Sequence, residues 1–272
     1  MFNIVRTEWL KIKKYPAFWW VMGITALTYP GINYIFLKVY EDVTGKESTS
    51  GQVLKALIGN PFSFPEAWKT VAYFSSIFVF IPAIVIIMLI TNEYNYKTNR
   101  QNIIDGWSRK EFMIGKLIDV LILSAIVTLL YTVVALIIGI SNTTDLSVDK
   151  WSKAYYIGLF AMQTFSQLSL AFMVGLLVRK SFIALAIFAF YFILFEPIVI
   201  EYIRHRFKSN IGDYFPLKIS HLLLPKPAFI GRIDEKAYLA ALDAVKYHVG
   251  YTLAVIVLTW AFCFWINKRR DL

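Results

Sequence analysis

Uncharged stretches alternate with short charged ones along the whole chain. Six long uncharged windows stand out, at residues 17–37, 70–91, 120–141, 154–178, 181–200 and 249–266, and the fifth alone carries a single acid, Glu196. A helix needs about 20 mostly apolar residues to cross the hydrocarbon of a bilayer. Membrane β-barrels show instead alternation over about 10 residues, whereas these windows are continuous and longer. The pattern predicts an all-α polytopic membrane protein with six transmembrane helices in one domain spanning residues 1–272. Ahead of the first window, Phe2, Val5, Trp9 and Ile12 recur at helical spacing between basic residues. Residues 1–16 therefore read as an amphipathic interfacial helix, with Pro16 at the bend into the first span.

Two connections carry patterns of their own. Residues 92–116 are polar and mixed in charge. Within them residues 98–104 form a short helix ending near Gly106, and Ser108 with Glu111 three residues on has the capping-box pattern of a second helix start. A loop that merely connects two spans has no need of such length, so this segment reads as a docking element for a soluble partner. Residues 201–248 form a long, semi-apolar outer loop. A run at 219–224 ends at Pro225 and Pro227, and residues 234–246 look helical. Structureless loops of that length are uncommon in compact domains, so short helices that re-enter or lie on the membrane are expected there.

Composition sharpens the picture. Of the 272 residues, 58% are hydrophobic and 17% charged, with a mean hydropathy of +0.57. Soluble domains run at about 45–50% and about 25%. That excludes a disordered chain, a nucleic-acid-binding domain and an ordinary soluble enzyme. The formal charge of +10 sits in clusters at span ends. Arg6, Lys11, Lys13 and Lys14, then Lys97, Arg100, Arg109, Lys110 and Lys116, then Arg179 and Lys180, then Lys268, Arg269 and Arg270 fall densely on one side. By the positive-inside rule that side is cytoplasmic and holds both termini. The first window is long, contains Phe18, Trp19 and Trp20, and lacks a small-residue cleavage site, so it reads as a span and not a signal peptide.

Chemistry-bearing residues are few. Cys263 is the single cysteine, so neither an intramolecular disulfide nor a cysteine-based metal site can form. His205, His221 and His248 lack the i, i+4 spacing of a helical metal site, and no metal centre or catalytic group is expected. Gly45-Lys46 and Gly115-Lys116 lack the rest of a phosphate-binding loop, so no ATP site is expected in this chain. Glu196 is the one acid inside a window, which makes it a candidate path or gate residue; interfacial pairing with Arg204 is the simpler alternative. Gln163, Ser166 and Gln167 share one face of the fourth window, as a polar path or as helix–helix hydrogen bonding. Asp119 is expected at the cytoplasmic surface, at the start of the third span.

The order of these features resembles the ABC-2 type transporter permeases. The likeness lies in six spans with both ends inside, a basic amphipathic start, and an acid after span two followed by a polar helix. Locally, Glu93, Thr98, Arg100, Ser108-Arg109, Phe112 and Gly115-Lys116 are similar to that family's cytoplasmic segment, with Lys97 standing where the family carries glycine. The resemblance implies a permease subunit in a bacterial inner membrane. It would pair with a second permease chain, identical or related, and with a separate ABC ATPase subunit that binds ATP and Mg; this chain itself would hold no cofactor. It further implies ATPase coupling through Glu93, Thr98, Arg100, Ile103 and Arg109, and export of a lipid, peptide, drug or other amphipathic substrate. Membrane lipids are its surroundings. The competing expectations are a non-transporting membrane subunit that couples an ATPase to an outer partner, and an intramembrane enzyme.

Overall fold

The computed structural model describes residues 2–45, 59–144, 147 and 149–269. Lys46, Arg270, the Phe2 side chain and the later part of the polar stretch 41–51 lie outside the described residues. Helices carry nearly all the rest, and no strand occurs among the described residues. Helix α1 spans Phe2–Lys14 and α2 Pro16–Thr44, with Pro16 in the first turn of α2, where its missing N–H costs nothing. Then come α3 (Ala67–Ser76), α4 (Phe80–Asn95), the short α5 (Thr98–Ile104), α6 (Arg109–Asn142) and α7 (Tyr155–Val178). Helix α8 spans Ser181–Phe207. Two short helices, α9 (Pro216–His221) and α10 (Ala228–Gly231), precede the long α11 (Glu235–Arg269).

Four of these, α6, α7, α8 and α11, are long and apolar enough to cross a membrane, and α3 with α4 makes a fifth if the bent pair is one span. This is the architecture of a membrane protein. The first expected span, residues 17–37, lies within α2, which is 29 residues long but is not among the helices apolar enough to cross a membrane.

Local sequence explains where several helices begin and break. Ser108 caps α6: its Oγ accepts from Glu111 N at 3.2 Å, and its own N–H donates to Glu111 Oε2 at 2.8 Å. The helix therefore starts well before residue 120, and Asp119 lies inside it. Asp119 is buried, which overturns its expected place at the surface and at a helix start. Between α3 and α4 the chain bends by 50°, through turns in which Phe78 N–H reaches Ser75 O and Val79 N–H reaches Ser76 O. Pro82, without an N–H, sits one turn beyond this break. In α8 the proline at 197 leads to a different solution. A π-helical turn, Tyr191–Phe195, precedes it, and Glu196 N–H reaches back to Tyr191 O. The helix is thus adjusted rather than broken.

Helix α7 is the hub, packed against α4, α6, α8 and α11. Its approach to α4 depends on Gly175, where an added Cβ would stand 2.5 Å from Ile90 Cγ2 and 3.5 Å from Ile87 Cα. Tyr131 and Phe160 stack across α6 and α7, and Phe172 stacks on Trp260 of α11. Short helices fill the stretch after α8, as its length predicted. The helical residues 234–246 are continuous with the last long helix.

Candidate functional site

At one end of the bundle, α1 folds against the end of α4 and the start of α6 through charged groups. Helix α1 turns Ile4, Glu8, Lys11 and Ile12 inward, at the three- and four-residue steps of one helix face, while Val5, Trp9 and Leu10 remain exposed. Lys116 of α6, 2% exposed, is the centre. Its ammonium donates to Glu8 Oε2 at 2.6 Å, Glu93 Oε1 at 2.7 Å and Asp119 Oδ2 at 2.9 Å. Lys11 adds bonds to Glu8 Oε1 at 2.8 Å and Glu93 Oε1 at 3.1 Å. Burial by itself would raise the Glu8 carboxyl, but Lys116, a hydrogen bond with the Asp119 carboxyl and Lys11 together outweigh it and hold that group down at about 2. Beside this cluster lies a cavity of about 250 Å³, bordered by Tyr15, Asn92, Tyr96 and Thr98.

The expected coupling residues divide by role. Glu93 is 7% exposed and locked into the cluster, so it positions α5 and offers no surface. Lys97 takes a left-handed conformation, φ 55°, immediately before α5. Thr98 donates to Glu93 O at 3.4 Å. Helix α5 ends before Gly106, whose φ of 99° is open chiefly to glycine. Arg100 and Thr98 are exposed and Ile103 is half-buried. Ile104 and Tyr96 present their side chains at 79% and 76% exposure. Arg109 instead ties the start of α6 to the end of α11. Its guanidinium donates to Asn267 O at 3.3 Å and Lys268 O at 3.0 Å, and Asn267 Nδ2 returns a bond to Arg109 O. Glu8 and Lys11 escaped the sequence reading; their spacing by three on the Ile4–Ile12 face is the signal that marks them.

A second polar region lies within the bundle, and it gathers Gln163, Gln167 and Glu196 around α9. Glu196 is 2% exposed. Its carboxylate accepts from the backbone N–H groups of Leu217 and Lys218, capping the first turn of α9. The expected alternative, pairing with Arg204, does not occur: Arg204 binds Glu201 and Asp213. At the other end of α9, His221 lies between two amides, with Gln163 Nε2 at 3.2 Å from Nδ1 and Gln167 Nε2 at 3.3 Å from Nε2. A neutral imidazole carries one N–H and one bare nitrogen, so one of these amides faces it oxygen first. Gln167 also donates to Ser220 Oγ at 3.2 Å. Burial, aided by Lys218, lowers the His221 ring to about 4, so it is neutral at pH 7. Each of Gln163 and Gln167 keeps one amide atom without a partner, and so do the Thr164 and Ser166 hydroxyls, among the described residues. At about 1.5 Å per residue, Gln163 lies about 22 Å from the end of α7 and Glu196 about 22 Å from the start of α8. From the near ends the same rise puts Gln163 about 12 Å from the start of α7 and Glu196 about 6 Å from residue 200, where the fifth apolar window ends, so α9 packs beside the first half of α7 and the last part of that window. No group of residues able to hold a metal ion occurs among the described residues.

No curated protein matches the chain significantly. A family model matches residues 59–272, from just ahead of α3 through the last helix, and so takes in α4, α5, α6 and the α9 region but not α1 or α2. The chain belongs to that family, DUF2705, described as protein of unknown function.

Proposed function

We propose that this chain is the membrane-spanning permease subunit of an ATP-driven exporter, powered by a separate ABC ATPase that docks on α5. The observation that carries the reading is the short polar helix α5, which follows the buried charge cluster directly and presents Arg100 and Ile104 outward, beside the exposed Tyr96 in the turn ahead of it. An exposed isoleucine on a polar helix, with an exposed tyrosine in the turn before it, suits a protein partner. In this reading α2 is the remaining span, which gives six in all. Both termini are cytoplasmic, in a bacterial inner membrane, and a second permease chain completes the path. ATP and Mg belong to the partner. Glu93 and Arg109 act as positioning residues: one sets α5 on the cluster, the other ties α6 to α11. Force on α5 passes through Glu93 and Lys116 to α1, α4 and α6 together.

The polar region around α9 supports passage of a substrate. Four buried polar atoms without partners within an apolar bundle are costly, and they become useful if a polar group passes them. Glu196, Gln163 and Gln167 then line or gate that path.

The test is purification of the tagged full chain from its own membranes. An ABC ATPase is expected to accompany it. The variants Arg100→Glu and Ile104→Asp are expected to release that ATPase while leaving the helical content and melting temperature unchanged. Absence of any ATPase with the wild-type chain, or labelling of a cysteine placed at Ile104 from the extracytoplasmic side, would refute the proposal.

A further inference from the structure

The cavity beside the Lys116 cluster is bordered by groups whose charges and hydrogen bonds do not balance. Glu8, Glu93 and Asp119 all border it, together with Lys116 and Lys11. Three carboxylates thus share two ammonium groups. Lys116 donates once to each carboxylate, which uses all three of its N–H bonds. Lys11 donates to Glu8 and Glu93 and not to Asp119. Two carboxylate oxygens are left over: Glu93 Oε2 and Asp119 Oδ1 are buried and meet no hydrogen-bond donor among the described residues. Their side chains are 8% and 5% exposed. Both carboxylates hold the same ammonium, so they stand side by side at the cavity.

A buried negative charge without a partner is costly, and it is met either by a proton or by a further cation. The walls say which cation fits. Two ammonium groups already stand among the carboxylates and would repel a metal dication, in keeping with the lack of a metal-binding group among the described residues. Ile12 and Leu89 line the cavity with aliphatic carbon, and Tyr15 and Tyr96 with aromatic rings, which suit a cation that has an organic body. Asn92 Nδ2 donates to the Tyr15 hydroxyl at 2.9 Å and fixes that wall. Tyr96 and Lys11 are the more exposed of the bordering groups and mark the mouth. At about 30 Å³ per water-sized group, the cavity of about 250 Å³ holds about eight non-hydrogen atoms.

We propose that this cavity binds a primary ammonium group on a short carbon chain, which donates to Glu93 Oε2 and Asp119 Oδ1 and supplies the missing positive charge. The chain of the ligand lies against Ile12 and Leu89. A free alkylamine and the ethanolamine headgroup of a lipid carry the same chemistry. The site needs neither an ATPase on α5 nor transport, so it stands apart from the proposed function.

The experiment uses the full chain in mild detergent at pH 7.5. It is titrated separately with butylammonium, butyltrimethylammonium, phosphatidylethanolamine and phosphatidylcholine. Calorimetry follows the free cations and native mass spectrometry counts bound lipid. A primary ammonium is expected to saturate one site about tenfold more tightly than its trimethylated counterpart, which has the same charge and no N–H to donate, since a hydrogen bond to a charged group is worth at least about that factor. Saturation by butylammonium assigns the site to a free amine, and saturation by phosphatidylethanolamine alone assigns it to a lipid headgroup; either supports the proposal. Leu89→Phe narrows the cavity without changing a charge and is expected to abolish the preference at an unchanged melting temperature. Glu93→Gln removes one acceptor charge and is expected to weaken the primary ammonium alone. The wild-type comparison decides the matter even where a variant melts lower. Equal binding of primary and trimethylated cations, no saturable binding of either primary ammonium, or a preference that survives Leu89→Phe would overturn the proposal.

Discussion

Replacing Lys116 by methionine tests the physical core of the α1–α4–α6 junction. The side chain keeps its length and loses its charge. In the wild type one ammonium joins three carboxylates at 2.6, 2.7 and 2.9 Å, all of them nearly closed to solvent. Without it, Glu8, Glu93 and Asp119 face one another with Lys11 as the remaining cation of the cluster, and Lys11 touches two of them and not Asp119. Removing one partner of a buried ion pair typically costs about 3–5 kcal/mol, because the other charge stays buried without compensation. The variant is expected to lose that much at pH 7.5. It is expected to lose less at pH 5, where protonation of a carboxylate relieves the repulsion. Reversible unfolding in detergent, followed by circular dichroism, gives the magnitude, and proteolysis at Arg6 reports whether α1 has come away. Adding Glu93→Gln to Lys116→Met should restore part of the loss, since it removes one of the uncompensated charges. A change below about 0.5 kcal/mol, the range of ordinary surface substitutions, would show that the cluster does not hold α1 to the bundle.

Other measurements follow from the same coordinates. Gly175→Ala inserts a methyl group 2.5 Å from Ile90 Cγ2; overpacking of this kind costs about 1–3 kcal/mol, and a variant that melts with the wild type would refute the close α4–α7 contact. His221 titrates at about 4 in the folded chain against 6.5 ordinarily. The unfolded chain therefore binds the extra proton between those values. The contribution of His221 is complete above pH 6.5 and falls away toward pH 4, by up to about 3 kcal/mol. His221→Gln should flatten that part of the stability–pH curve, and an unchanged slope would remove His221 as its source.

Much of the architecture was legible in the sequence because membrane helices obey a one-dimensional rule. An unsatisfied peptide group is costly in hydrocarbon, so long uncharged runs become helices wherever the rest of the chain lies. The same holds for local signals. The Ser108–Glu111 capping box, the 98–104 helix and its end before Gly106 depend on neighbours within four residues, and each formed as its spacing predicts. The shared face of Gln163, Ser166 and Gln167 was likewise written in their spacing, and all three are buried.

What tertiary structure decided was which distant groups meet. Glu8 and Lys116 are 108 positions apart, and Lys69 and Tyr238 are 169 apart. No periodicity relates such pairs; they meet because α1 folds back on α6 and α11 returns beside α3. Asp119 looked like a surface acid because a charge next to an apolar run normally marks the membrane boundary, yet the capped helix runs through that point and buries the acid beside a lysine. Glu196 seemed matched to Arg204, two turns along its own helix, until α9 folded in and offered two backbone N–H groups instead. The sequence by itself determined which segments are helical and which residues are too polar to lie in lipid. The fold alone chose their partners, because satisfying a buried charge depends on distance in space and not along the chain.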